Sequence, residues 1–310
     1  MTGSAAASTA TADMVLPFTI EDGLVRGRLV RLGTALDSIL DPRHNYPPAV
    51  ATLLAEVCAL AAALAAMLKY EGVFTLQVQG DGPVPLVVAD VTSEGRLRAM
   101  ARFDAARLTN SDGTAPVRAL LGKGHLAFTV DQGAGTERYQ GIVALEGETL
   151  ADAVGTYFRQ SEQLDTAFST AVRPPADGLG WGAQAVMIQR LPPGSGRAPI
   201  LLAEEAEESW RRAEILLGSL TVAELQDPTL MPEHLLYRLY HAESLCLFDP
   251  RSLVAGCRCS RERVVETLAS LPADELPSLA DAEGRVTVTC EFCRTDHVIP
   301  LTELVPAVSP

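Results

Sequence analysis

Two cysteine pairs near the C-terminus carry the most specific chemistry in this sequence. Cys257-Arg258-Cys259 is followed, thirty residues later, by Cys290-Glu291-Phe292-Cys293. Closely spaced pairs can each offer two sulfurs to one ion, and Zn²⁺ takes four ligands in a tetrahedron. The pattern predicts a Zn²⁺ site with Cys257, Cys259, Cys290 and Cys293 as ligands. Four thiolates around Zn²⁺ carry excess negative charge, and Arg258, Arg261, Arg263 and Arg294 are near enough in sequence to balance it. His297 is the one substitute ligand within reach of the second pair. The other two cysteines read differently. Cys58 sits in an apolar helical run and Cys246 lies between Leu245 and Leu247, so both are expected as inert core thiols.

Such a site has more than one use. It can simply staple a segment of roughly fifty residues, too small to bury much core by itself. It can also sense oxidants. A cysteine held as thiolate is the better nucleophile, its oxidation removes a ligand, and a unit stabilised by metal then unfolds. A thiol oxidoreductase built on Cys290 and Cys293 is a third reading, although no thioredoxin-like βαβ pattern surrounds the pair. A constitutive zinc-ribbon interaction module is a fourth. Other catalytic signatures are missing from the chain: G-x-x-x-x-G-K-[ST], G-x-S-x-G and H-E-x-x-H do not occur. His44, His125, His234, His241 and His297 form no cluster in sequence.

The elements that must position the cysteines can be read locally. Ser260 is a plausible N-cap for a helix through Leu268, with Pro272 beyond its end. Glu283-Gly284 marks a turn, Val286 and Val288 alternate on a strand into the second pair, and His297–Ile299 can return as its partner. Upstream, Trp210, Ala213, Leu217 and Leu220 recur at helical spacing behind an acidic start at Glu204, Glu205, Glu207 and Glu208. A second helix is expected over Pro232–Leu247. These stripes are either ordinary core packing or the apolar face of a movable flap. Pro192-Pro193-Gly194-Ser195-Gly196 reads as the linker ahead of them.

Before that linker, strands and helices mix. The Ala/Leu-rich run Ala51–Leu68 contains Glu56 and predicts a buried helix rather than a membrane span. Val73–Gln79, Pro85–Val91 and Arg96–Phe103 form a predicted meander, with turns at Gly80-Asp81-Gly82-Pro83 and Ser93-Glu94-Gly95. His125–Val130 and Tyr139–Leu145 follow as a hairpin, Leu150–Glu162 has helical spacing, and Ala185–Leu191 closes the segment as a strand. The expected fold class is α+β: a mixed α/β core with β-meanders, a helical linker and a small C-terminal zinc-binding domain. The boundaries are a disordered extension at 1–14, a core at 15–191, a linker at 192–247, a zinc domain at 248–301 and a tail at 302–310.

Composition narrows the function further. Apolar residues make up 47% of 310 and charged residues 21%, which suits a largely globular chain. A net charge of −14 repels phosphate backbones and argues against nucleic-acid binding. The Ala/Ser/Thr-rich N-terminus has neither a basic n-region nor an apolar h-region, so no signal peptide, no membrane association and a reducing cytoplasm are expected.

The stretch from Cys257 through Val264 (CRCSRERV), followed by Cys290-Glu291-Phe292-Cys293, closely resembles the bacterial redox-regulated heat-shock chaperone family, heat shock protein 33. Gly80-Asp81-Gly82-Pro83, Tyr139-Gln140-Gly141-Ile142-Val143, Ser161-Glu162-Gln163 and Leu235-Leu236-Tyr237-Arg238-Leu239 extend the resemblance over roughly Asp22–Leu301. The resemblance implies a non-enzymatic, ATP-independent holdase, inactive when reduced and zinc-bound. It implies disulfides Cys257–Cys259 and Cys290–Cys293 on oxidation, release of Zn²⁺ and unfolding of the zinc domain and linker. It further implies partners in the form of unfolding client proteins, and a homodimer of the oxidised form.

Overall fold

The computed structural model describes residues 13–108, 115–133, 136, 138–192 and 203–304. It divides into two compact units, Met1–Ala255 and Gly256–Pro310. The first unit opens with β1 (Met14–Ile20), β2 (Val25–Leu32), α1 (Thr34–Ile39) and α2 (Pro48–Ala65). Next come β3 (Val73–Gly80), β4 (Leu86–Thr92), β5 (Arg96–Arg102), α3 (Val117–Leu121), β6 (Gly124–Asp131) and β7 (Tyr139–Ala144). α4 (Leu150–Tyr157), β8 (Thr166–Arg173) and β9 (Gly182–Arg190) lead to the helices α5 (Ala203–Gly218), α6 (Val222–Gln226) and α7 (Pro232–Tyr240). Three two-residue strands end the unit: β10 (Cys246–Leu247), β11 (Arg251–Ser252) and β12 (Val254–Ala255). The second unit holds α8 (Arg261–Ala269), β13 (Arg285–Thr289), β14 (Asp296–Pro300) and α9 (Leu301–Leu304). This is the mixed α+β class that the sequence predicts.

Two six-stranded sheets organise the first unit, one in the order β10-β1-β2-β9-β8 with β11 also on β1, the other β12-β5-β4-β3-β6-β7. The predicted meander is β3-β4-β5, antiparallel throughout, and the predicted hairpin is β6-β7. Helix α2 lies between the sheets. Leu54, Cys58, Leu60 and Leu64 share one core with Phe74, Leu76 and Val87 of the second sheet and Val30, Ala185 and Met187 of the first. Among the described residues α2 alone is long and apolar enough to cross a membrane, but 83% of it is buried inside the fold, as a core helix would be.

The other face of the first sheet is covered by α5–α7. Period-two alternation sends Val15 and Val30 toward α2, and Leu16, Phe18 and Leu29 toward Trp210, Leu217, Leu236 and Tyr240. Phe18 sits over Gly27, where an added Cβ would lie 2.1 Å from the ring, and stacks on Tyr240 with centroids 5.9 Å apart. The amphipathic stripes of the helical segment are therefore buried against this sheet.

Several expectations need correction. Periodicity assigns neither β1, a short continuous apolar run, nor β2, whose apolar pattern Arg26, Arg28 and Arg31 interrupt. Tertiary partners accommodate them: Arg26 donates to Gln189 Oε1, Arg28 to the Ala66 carbonyl at the end of α2, and Arg31 to the Leu230 carbonyl. The helix expected to reach Leu247 stops at Tyr240. Ser244 adopts a left-handed conformation (φ 50), and the chain reverses to pair with β1. Cys246 is consequently exposed on an edge strand, not a core thiol, whereas Cys58 is fully buried. The helix expected over Leu150–Glu162 is α4 only to Tyr157, followed by a π turn that ends at Gln163 (φ 55). Residues 1–12, positions 193–196 of the expected linker and residues 305–310 lie outside the described residues.

Candidate metal centre in the C-terminal unit

The second unit has a small core: Leu268, Leu276, Val286, Ile299 and Leu304 are buried, with Val264, Val265, Val288 and Leu301 packed around them. Cys257 and Cys259 lie in the irregular stretch that enters α8. The Ser260 hydroxyl accepts the Arg263 N–H at 3.3 Å, the N-cap that the sequence predicts, and this fixes where the first pair ends and the helix begins. Antiparallel β13 and β14, in register at Val288↔His297 and Thr289↔Asp296, present the second pair on the turn between them. The Cys290 N–H donates to the Thr295 carbonyl and the Arg294 N–H to the Cys290 carbonyl, both at 2.9 Å. Arg294 closes this knuckle at φ 55, a left-handed conformation that favours glycine.

These two substructures bring the four sulfurs within 4.8 Å of one another. The shortest approaches run across the pairs: Cys257 Sγ to Cys290 Sγ is 3.6 Å and Cys259 Sγ to Cys293 Sγ is 3.5 Å. A tetrahedral all-sulfur site with metal–sulfur bonds near 2.3 Å has sulfur–sulfur edges of about 3.8 Å, so the cluster has the dimensions to hold one metal ion. No other group of three or more such ligands gathers among the described residues. His297, the substitute ligand considered from sequence, is not in the cluster.

The surroundings treat the sulfurs unequally. Burial pushes the Cys259 thiol up strongly, helped by the neighbouring Cys257 and Cys293 thiols, and burial likewise raises Cys290. Burial opposes the Cys293 thiolate too, but hydrogen bonding from the Thr295 side chain and backbone, together with that from the Cys259 and Cys257 thiols, outweighs it and brings Cys293 down to about 7. Cys293 Sγ lies 3.3 Å from Thr295 Oγ1, and the Cys259 N–H donates to Cys257 Sγ at 3.4 Å. Thr295 is the supporting residue that the sequence reading missed; a hydroxyl residue two positions after a C-x-x-C is its only signal. Of the arginines expected to balance the thiolates, Arg261 instead forms a two-pronged pair with Glu303, and Arg263 donates to the Arg258 carbonyl.

Comparison with known proteins gives the family. The family model described as Hsp33 protein matches residues 13–300. The chain belongs to the Hsp33 family. It is 40% identical over 286 residues to the 33 kDa chaperonin of Caulobacter vibrioides, covering 91% of this chain and 92% of that one. It is 38% identical over 291 residues to the 33 kDa chaperonin of Ectopseudomonas mendocina, covering 93% and 92%. The crystal structure of the Hsp33 homolog from Thermotoga maritima superposes with a TM-score of 0.79 at 25% identity, covering 94% of this chain and 96% of that one. The family is thus one of chaperones, and this member of it carries a four-cysteine cluster that can hold a metal ion.

Proposed function

We propose that this chain is a redox-regulated, ATP-independent holdase that acts by binding rather than turnover. In this reading the reduced form holds one Zn²⁺ through Cys257, Cys259, Cys290 and Cys293 and is inactive. Oxidation forms Cys257–Cys259 and Cys290–Cys293, and the ion is released. The core at 15–191, linker at 192–247 and zinc domain at 248–301 then serve as client platform, cover and switch. Its partners are unfolding proteins in the cytoplasm, with a homodimer as the oxidised form. The observation that carries the reading is the pairing of four clustered thiols with a core of five buried apolar side chains. Bound Zn²⁺ would tie the two cysteine pairs together and supply much of the stability of so small a unit.

The chemistry balances with a peroxide as oxidant. One thiolate sulfur attacks the O–O bond, giving a sulfenic acid and hydroxide. The neighbouring thiolate attacks that sulfur and expels a second hydroxide, leaving a disulfide. Each disulfide removes two sulfurs from the coordination sphere. In the folded unit the nearest sulfurs lie across the pairs. Once the unit loosens, only one or two intervening residues keep Cys257 beside Cys259 and Cys290 beside Cys293, and short loops close at the smallest entropic cost. This supports the within-pair disulfides that the family resemblance implies.

The linker then follows. Helices α5–α7 bury Trp210, Leu217, Leu235, Leu236 and Tyr240 on the first sheet, and exposing such a surface creates an apolar patch of the kind that drives association. The test is light scattering of a heat-unfolding client with reduced and oxidised protein, without ATP, while metal release and proteolysis of residues 203–247 are followed together. Client protection is expected from the oxidised form alone. Protection that appears while metal is bound and the linker resists protease would overturn the switch. Partner binding that peroxide leaves unchanged would favour the constitutive zinc-ribbon module.

A further inference from the structure

The segment between the last linker helix and the first cysteine pair does something that neither stripe nor spacing predicts. After Ser244 the chain runs along the free edge of β1, pairing Thr19 with Cys246 and Phe18 with Leu247, then Val15 with Arg251 and Met14 with Ser252. The Phe248 N–H donates to the Pro17 carbonyl at 3.0 Å and the Leu253 N–H to the Asp13 carbonyl at 2.9 Å. It then crosses to the second sheet, where the Val254 N–H donates to the Gly95 carbonyl at 3.0 Å and β12 pairs in parallel with β5. Residues 246–255 thus bind the edges of both sheets.

This strap is held almost wholly through its backbone. Leu247, Phe248 and Val254 are exposed, and Leu253, at 5% exposure, is the one fully buried side chain, with Ala255 packed against the same core. Beside Leu253 lies a cleft of about 720 Å³ lined by Val15, Ala66, Tyr70, Thr92 and Gly95. Main-chain pairing with one aliphatic anchor is how a sheet edge binds an extended peptide with little regard to sequence. Two-residue strands are marginal by themselves. Ala255 stands two residues before Cys257, so loss of the fold around that cysteine frees the strap's C-terminal end. The uncovered edges of β1 and β5 would present unpaired N–H and C=O groups. Pro17, whose carbonyl faces the strap, removes one donor from the β1 edge and limits indiscriminate pairing.

We infer that residues 246–255 occupy in cis the surface on which an extended segment of an unfolded client pairs, an aliphatic client side chain replacing Leu253. The inference rests on the holdase reading and locates where the client sits.

Two measurements on the full-length oxidised protein test it. The first is hydrogen exchange with and without a reduced, carboxymethylated, permanently unfolded protein as client. The strap-facing amides within residues 14–21 and the Leu97 amide should lose protection by at least about tenfold on oxidation and regain it when client is added. The second is competition. A peptide of residues 246–255 carrying Cys246→Ser should weaken client protection in light scattering several-fold, and the same peptide with Leu253→Asp should not. Client protection with no edge protection and no peptide effect overturns the inference but leaves the holdase reading standing. Edge protection that returns without client and rises with protein concentration assigns the edges to a second copy and also overturns it. Oxidised protein that fails to protect any client overturns the holdase reading, and the inference with it.

Discussion

Leu236→Asp should release the linker helices while all four cysteines remain reduced. Leu236 is fully buried on α7, within the cluster that joins Phe18, Ile20 and Leu29 of the first sheet to Trp210, Leu217 and Tyr240 of the helices. Removing the leucine side chain alone costs about 2–5 kcal/mol, because the rigid sheet behind it collapses only partly into the space. A carboxylate placed there adds several kcal/mol more unless it leaves the core or takes up a proton. Local opening free energies range from near zero to the global stability, and about 4 kcal/mol multiplies the open population roughly a thousandfold. That is enough to make a rare opening of α5–α7 a common one. The cysteine unit, with its separate core, should keep its metal. Reduced variant protein should therefore suppress client aggregation in part, and only in part, because the strap at residues 246–255 still covers the sheet edges. The assay compares hydrogen exchange of residues 203–247 with client light scattering at full metal content. Fast exchange of the linker with no client protection would refute the idea that linker burial restrains activity. Unchanged linker protection would refute the packing argument itself.

Four further outcomes follow from individual residues. Serine at any one of Cys257, Cys259, Cys290 or Cys293 should weaken zinc binding by orders of magnitude, since a hydroxyl is a poor zinc ligand; metal content per chain measures it, and Cys58→Ala should leave it unchanged. Arg294→Gly should relieve the left-handed strain of the knuckle, worth about 1 kcal/mol, and slow metal loss to a chelator. In the native reduced protein an alkylating reagent should modify exposed Cys246 readily and Cys58 hardly at all, because Cys58 is inaccessible and burial pushes its thiol well above the ordinary range; peptide mass mapping reads both. Burial also raises the Glu56 carboxyl above 4.5, although Thr170 donates a hydrogen bond to it. The folded state therefore holds that proton more tightly than the unfolded chain, and its stabilising share is lost as pH rises through the folded value. Glu56→Gln should raise the urea midpoint relative to the parent at roughly pH 8, and the difference should shrink at roughly pH 4.

Local order in the sequence determined much of this protein. The spacing of Cys257, Cys259, Cys290 and Cys293 is a property of two short stretches, so the four candidate ligands are legible without a fold. The same holds for the Ser260 cap, the β13–β14 hairpin, the buried α2 and the β3-β4-β5 meander. In each, the decisive interactions lie within a few residues or repeat with the period of one element. Tertiary structure decided what depends on distant partners. β2 is a strand despite Arg26, Arg28 and Arg31, because carbonyls and an amide far away in sequence accept hydrogen bonds from those guanidinium groups. The stripe on α5–α7 shows which side of each helix is apolar, but its burial on the first sheet, opposite α2, depends on strands from both ends of the unit. Cys246 has apolar neighbours yet is exposed, because two-residue β10 lies at a sheet edge, where neighbours in sequence say nothing about cover. The cross-pair approach of the sulfurs, 257 to 290 and 259 to 293, is likewise a consequence of how α8 and the hairpin pack, since a residue's neighbours across a turn of the fold are set by packing and not by spacing along the chain.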